Sequence, residues 1–187
     1  MPNMPSSYYS EEELLTLGFK SIGTDVRLSR KASIYGIENM AIGNHVRIDD
    51  FCVLSGHITI GNYVHINPFT GIFAGREGVT LGDYANLSSR ITIYAVSDDY
   101  SGEFMTSPLL PESCTNIRHA AVNVAKHTII GTGTTILPGV NIGIGCAVGA
   151  MSLVKEDLPA WGIYAGIPCR RIKDRSKNLL QYEKDEY

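Results

Sequence analysis

The chain has 187 residues and a formal net charge of −3, with 16 Lys plus Arg against 19 Asp plus Glu. That length fits one domain with appendages. With no Lys/Arg cluster and no apolar run of membrane-spanning length, neither nucleic acid nor membrane is expected as a partner. The four cysteines form no CxxC pair and no disulfide framework, and the N-terminus is polar rather than signal-like. A cytoplasmic protein with free thiols is therefore expected.

Residues 1–7 carry no pattern and are expected to be loose. Ser10 to Gly18 predicts a short helix: Ser10 and Glu13 have capping-box spacing, and Leu14, Leu15 and Leu17 supply an apolar side. A different pattern then begins, with an aliphatic residue returning every six positions. Its members are Ile22, Leu28 and Ile34; Ile42, Ile48, Leu54, Ile60, Ile66 and Ile72; Leu81, Leu87 and Ile93; and, after a gap, Val124, Ile130, Ile136, Ile142, Val148 and Val154. Gly often follows the marker, as at Gly43, Gly61 and Gly131. The fourth residue after it tends to be small or β-branched, as at Val46, Cys52, Thr70, Thr134 and Cys146. A fixed short period overrides other fold signals. Six is not a helical period, and the residues between markers are mostly poor helix formers. Each hexad reads as a short extended piece plus a turn, with the marker and the small residue inside and Gly at the corner. Three pieces make one triangular coil, so the chain is expected to be a solenoid of about six coils. The domain reading is an N-terminal segment with a capping helix over 1–21, a β-helix over 22–155 with a loop excursion over 95–121, and a tail with a charged helical end over 156–187. The apolar and aromatic residues of the excursion (Tyr100, Phe104, Met105, Leu109, Leu110) predict that it is ordered and packed on something.

The hexapeptide pattern, the interruption after the fourth coil and the run "VGAMSLVKEDLPAWGIYAGIPCRRIK" together resemble the left-handed parallel β-helix acyltransferases. The resemblance covers nearly the whole chain. It implies an all-β, left-handed parallel β-helix, acetyl-CoA as co-substrate with no metal, and a homotrimer with active sites between subunits. The segments "SSYYSEEELLTLGFKSIG", "VRIDDFCVLSGHITIGNYVHI" and "ANLSSRITIYAVSDDYSG" are similar to one subgroup. Its members are acyltransferases for dTDP-4-amino-4,6-dideoxyglucose in O-antigen and surface-polysaccharide pathways.

Sugar O-acetyltransferases that resemble this chain carry a His-Pro pair at the opening of the loop, where the His deprotonates a hydroxyl. The matching place here is Ser97-Asp98-Asp99-Tyr100, and no His-Pro occurs anywhere. An amine has a pKa nearer ~8, so it needs an orienting anion more than a strong base, and Asp98, Asp99 and Glu103 supply carboxylates. Asp98 and His65 are the catalytic candidates. Asn86, Ser88, Tyr94, Asp99 and Glu103 are the substrate-binding candidates. The resemblance assigns Gly131, Thr132, Gly149 and Ala150 to the pantetheine arm, and Lys155, Pro168, Arg170, Arg171 and Lys173 to the CoA head, with Trp161 as a second flank for the adenine. The competing readings are an O-acetyltransferase using His65 or His127, a γ-type carbonic anhydrase and a non-catalytic scaffold. The carbonic anhydrase reading is disfavoured because the His57–His65 and His119–His127 spacings do not match the five-residue spacing of its zinc ligands.

Overall fold

The computed structural model describes residues 7–183, so the expectation for residues 1–6 lies outside the described part. The markers form three in-register parallel columns. The first runs Ile22, Ile42, Ile60, Leu81, Val124, Ile142 and, by an isolated bridge, Leu158. The second runs Leu28, Ile48, Ile66, Leu87, Ile130, Val148 and Tyr164. The third runs Ile34, Leu54, Ile72, Ile93, Ile136 and Val154. Each column is one face of a parallel β-helix. Six coils are complete, and a seventh carries two of its three sides. Stacking therefore continues past Lys155 into the strand Gly162–Ala165.

All markers from Ile42 to Val154, with Leu28, are buried, while Ile22 and Ile34 in the first coil are partly exposed. Burial of each contributes about 1.5–3 kcal/mol, and each packs between its counterparts in the coils above and below. The capping helix, Glu11–Thr16, has the full capping box and buries Leu14 in the core. Burial pushes the Cys52 thiol up to about 11, as suits an inert core filler.

The corners differ from expectation. The glycines that follow the markers do not adopt positive φ. They are small because coils approach closely there: a Cβ on Gly43 would lie 2.7 Å from the Gly61 carbonyl carbon, and one on Gly131 2.5 Å from the Ala150 nitrogen. The left-handed turn falls two residues later, on Asp25, His45, Tyr63, Tyr84, His127 and Trp161 at the first corner, and on Phe51, Phe69, Arg90 and Met151 at the second. Non-glycine residues there cost about 1–2 kcal/mol each. Stacking offsets part of that cost: His45–Tyr63, Tyr63–Tyr84 and Tyr84–His127 centroids are 4.6, 5.2 and 5.0 Å apart. At the second corner Phe51 and Phe69 stack at 5.1 Å between Lys31 and Arg90.

The excursion leaves after Ile93 and returns at Val122. Its root is a two-stranded antiparallel clasp, Val96–Ser97 with Arg118–His119, joined to the coil by Ala120 N–H on the Ala95 carbonyl. The C-terminal tail carries a strand ahead of its helical end that was not foreseen. It runs back as the strand Arg170–Asp174, antiparallel to Gly162–Ala165, and ends in a short 3-10 helix, Asn178–Glu183. Arg175 donates to the carbonyls of His127, Gly145 and Cys146, and Glu183 pairs with Lys126 and His127, so the tail is fastened to the first corner.

Leu87→Ala, at a fully buried marker in the fourth coil, is expected to lower stability by about 2–5 kcal/mol. Leu15→Ala, on the exposed side of the capping helix, is expected to stay within about 0.5 kcal/mol of the parent. Urea unfolding followed by circular dichroism checks the pair.

Candidate active site

Residues flanking a marker point outward, because side chains alternate along a strand. On the second face this rule builds a polar surface. Arg47 pairs in register with His65, and His65 with Asn86. Asp49, one residue past Ile48, is a buried carboxylate reached by three donors. His65 Nε2 lies 2.8 Å from its Oδ2, Arg47 Nε donates to its Oδ1 at 2.7 Å, and Tyr8 Oη donates to the same Oδ1 at 2.9 Å. Burial alone would raise the Asp49 pKa, but the hydrogen bonds from His65, Arg47 and Tyr8 outweigh it and hold the carboxyl below the usual range. Beyond His65, the Asn67 side-chain amide lies 3.3 Å from Nδ1 and donates to the Leu87 carbonyl at 2.8 Å, with Asn86 Oδ1 at 3.4 Å. A cavity of about 280 Å³ opens beside Tyr8, Arg47, Asp49 and Pro68.

His65 and Asn86 are therefore brought together, and Ser88 ends the same face, its carbonyl accepting from the Thr70 hydroxyl. Thr132 reaches back to the coil before it, its hydroxyl 2.6 Å from the Ser89 carbonyl and 3.2 Å from Ser89 Oγ. Gly131 lies under Ala150, and Gly149 under Ala165, just before the turn that holds Pro168. These small residues form one continuous strip along the second corner. The close stacking of the coils alone already requires glycine at 131.

The acidic candidates stand elsewhere. Asp98 is exposed at the root of the excursion. Asp99 organises the loop, accepting from the Ser101 amide and hydroxyl at 2.8 and 2.6 Å and from Asn116 at 3.1 Å, and these bonds hold its pKa down. Glu103 is exposed further out, and Tyr94 stacks on Phe73 along the third face. Ser88 and Asp98 are separated within one chain by the second corner and the whole third face. A side of about six extended residues spans roughly 20 Å.

The basic candidates are split. Lys155 and Arg170 both approach Glu156, at 3.7 and 3.6 Å. A bulge in the terminal hairpin sets Arg170 opposite Ala165 and Lys173 opposite Ile163, while Arg171 faces buried Tyr164 and pairs with Asp174. Trp161 belongs to the first corner, under Lys177, and Pro168 to the turn after the second face, so the two do not flank one base within a chain. His127 is buried, stacked on Tyr84 and paired with Glu183, which removes it as an accessible base. Among the described residues no three His, Cys, Asp or Glu gather as a metal site, and no helix is long and apolar enough to cross a membrane.

A parallel β-helix with a small-residue strip along one corner, a polar face beside it and a single long excursion is the architecture of hexapeptide-repeat acyltransferases. The bacterial transferase hexapeptide (six repeats) family matches residues 39–74. The chain is 48% identical over 180 residues to the dTDP-4-amino-4,6-dideoxy-D-glucose acyltransferase of Escherichia coli, covering 95% of this chain and 93% of that protein. The chain belongs to this hexapeptide-repeat acyltransferase family. The crystal structure of AntD, an N-acyltransferase from Bacillus cereus, in complex with dTDP and 3-hydroxybutyryl-CoA, superposes with a TM-score of 0.93 at 48% identity, covering 95% of each chain. A variant of AntD in complex with dTDP-4-amino-4,6-dideoxyglucose and coenzyme A gives the same TM-score, 0.93, at 47% identity over 96% of each chain.

The Asp49 network was missed by sequence reasoning, although its signal was present: Arg47 and Asp49 flank Ile48, as His65 and Asn67 flank Ile66. Because the folded-state pKa of Asp49 is depressed, its stabilising contribution is present above the ordinary carboxylate range and is lost as pH falls through the lowered value. Urea midpoints measured from pH 5 downward are expected to fall more steeply in the parent than in Asp49→Asn.

Proposed function

We propose that this chain is an acetyl-CoA-dependent N-acetyltransferase for a nucleotide-linked amino sugar, dTDP-4-amino-4,6-dideoxyglucose, in O-antigen or surface-polysaccharide synthesis. The observation that carries this reading is the exposed carboxylate of Asp98 at the excursion root, where the resembling O-acetyltransferases hold a histidine. The likeness to AntD, solved with dTDP and with the dTDP-amino sugar, supports the same acceptor. AntD variants have also been solved at a serine and an aspartate whose spacing along the chain equals that of Ser88 and Asp98, and of Ser89 and Asp99.

In this reading Asp98 accepts a charge-assisted hydrogen bond from the sugar ammonium and aims it at the thioester. After the ammonium gives one proton to solvent, the neutral amine attacks the thioester carbonyl, the C–N bond forms and the C–S bond breaks. The surplus proton on nitrogen passes to the departing thiolate, leaving amide and free CoA. Asn86, Ser88 and His65 hold the nucleotide sugar on the second face. Tyr94, Asp99 and Glu103 border it, Asp99 chiefly by shaping the loop. Gly131, Thr132, Gly149 and Ala150 line the pantetheine strip, and Lys155, Arg170 and Lys173 reach the CoA phosphates beside Pro168, with Arg171 on the opposite side of the hairpin.

The working unit is a homotrimer with sites between subunits. Tyr100 and Leu109 are 94% and 92% exposed on the excursion of an isolated chain, and Met105 is 59% exposed. An ordered loop with that much apolar surface needs a covering surface. A neighbouring copy provides one, and it also closes the gap between Asp98 and the second face. The free cysteines fit a cytoplasmic enzyme.

Purified protein with acetyl-CoA is expected to acetylate dTDP-4-amino-4,6-dideoxyglucose and to leave the matching 4-hydroxy sugar nucleotide untouched, as read by thiol release and product mass. Acetylation of the hydroxy sugar alone would contradict the reading. Asp98→Asn is expected to lower kcat/KM about 10- to 100-fold, the worth of one charged hydrogen bond.

A further inference from the structure

The polar network on the second face constrains His65 more than its exposure suggests. Ionised Asp49 can only accept hydrogen bonds. Its Oδ1 is taken by Arg47 Nε and Tyr8 Oη, which leaves Oδ2 for His65 Nε2 at 2.8 Å. The proton of a neutral His65 therefore belongs on Nε2. On the other side of the ring, the Asn67 amide is fixed as a donor by its bond to the Leu87 carbonyl, and it lies 3.3 Å from Nδ1. Both neighbours specify the same tautomer, with a proton on Nε2 and a lone pair on Nδ1.

We infer that Asp49 is a positioning residue for the transfer reaction: it fixes His65 as an Nδ1 acceptor and holds its ring beside Asn86. The inference rests on the reading that the nucleotide sugar lies over the second face. The carboxylate is itself held from two sides. Arg47 comes from the same strand pair, and Tyr8 from the N-terminal segment, which lies antiparallel along the first coil through the Tyr8–Ser29 bridge. Asp49 is buried, with only an edge on the cavity beside Tyr8 and Arg47, and it reaches the second face through His65, so its action there is indirect. The outcome is a ring that presents an acceptor to a bound amine or hydroxyl. The Asn67 contact at 3.3 Å is long enough to be exchanged for a substrate donor.

Asp49→Asn separates orientation from packing, because it is nearly isosteric. Arg47 and Tyr8 demand an acceptor and keep the amide oxygen, so the new NH2 faces His65 Nε2. The imidazole must then move its proton to Nδ1, against the Asn67 donor. A comparable carboxylate-to-amide change in a serine protease triad leaves the geometry intact and imposes the wrong tautomer.

The test combines 15N NMR of histidine-labelled protein with steady-state kinetics. The expected result is a proton on Nε2 of His65 in the parent and on Nδ1 in Asp49→Asn. In the same variant, kcat with the amino-sugar nucleotide should fall about tenfold or more, while KM for acetyl-CoA stays within about twofold. A parent His65 protonated on Nδ1 would overturn the inference without recourse to any variant. A variant with the proton moved and kcat unchanged would overturn it as well. If the parent acetylates no amino-sugar nucleotide, the functional reading fails, and the NMR comparison still decides whether Asp49 sets the tautomer.

Discussion

Everything in this molecule depends on coils stacking in register at the β spacing. Each marker must lie directly over its counterpart, Ile48 over Leu28 and under Ile66, or its neighbours are left facing a void. A one-residue slip would turn the whole inner set outward. Coils that carry extra residues therefore push them out as bulges or excursions, as at Gly56, at Gly75 to Gly78 and, most of all, between Ala95 and Ala120. The interior is thereby held constant, and variation is confined to corners and to the outward positions beside each marker.

In the proposed function that division explains where the chemistry lies. The outward residues of the second face inherit their positions from the register, so Arg47, His65 and Asn86 form a column without any local device. Asp49 and Asn67, on the far side of their markers, tie that column together. The second corner supplies the small residues of the donor strip, because close coil approach excludes side chains there in any case. The excursion supplies the carboxylates. The solenoid contributes alignment, and in the proposed function the excursion contributes the carboxylate that selects an amine over a hydroxyl.

The sequence disclosed the columns because six-residue periodicity is a direct image of the interior. It showed the excursion as a break in that image, and the capping helix through Ser10 and Glu13. The corners were misread because two features coincide there. Glycine after the marker looks like a turn residue, yet it serves close packing, while the left-handed position two residues later is filled by histidine, tyrosine, phenylalanine and arginine. Those side chains tolerate the conformation because they stack on one another between coils, a contact between residues 18 to 43 apart in sequence. The Asp49 network was overlooked for a related reason: Arg47 is its neighbour in sequence, but His65 and Tyr8 reach it from other coils and segments. Leu179 and Leu180 marked the helical end, realised as the 3-10 helix Asn178–Glu183, but nothing local marks the strand Arg170–Asp174 before it. That strand is held by pairing with Gly162–Ala165, a non-local interaction.

In the proposed homotrimer the active site is shared, with Asp98 from one copy completing the second face of the next. Subunit complementation tests this most directly. Asp98→Asn and Asn86→Ala proteins, each weak alone, are unfolded, mixed in equal amounts and refolded together. If sites lie between subunits, random assortment regenerates about a quarter of the parental sites and activity rises accordingly. If each chain carries a complete site, the mixture shows only the average of the two variants, and the shared-site account is wrong.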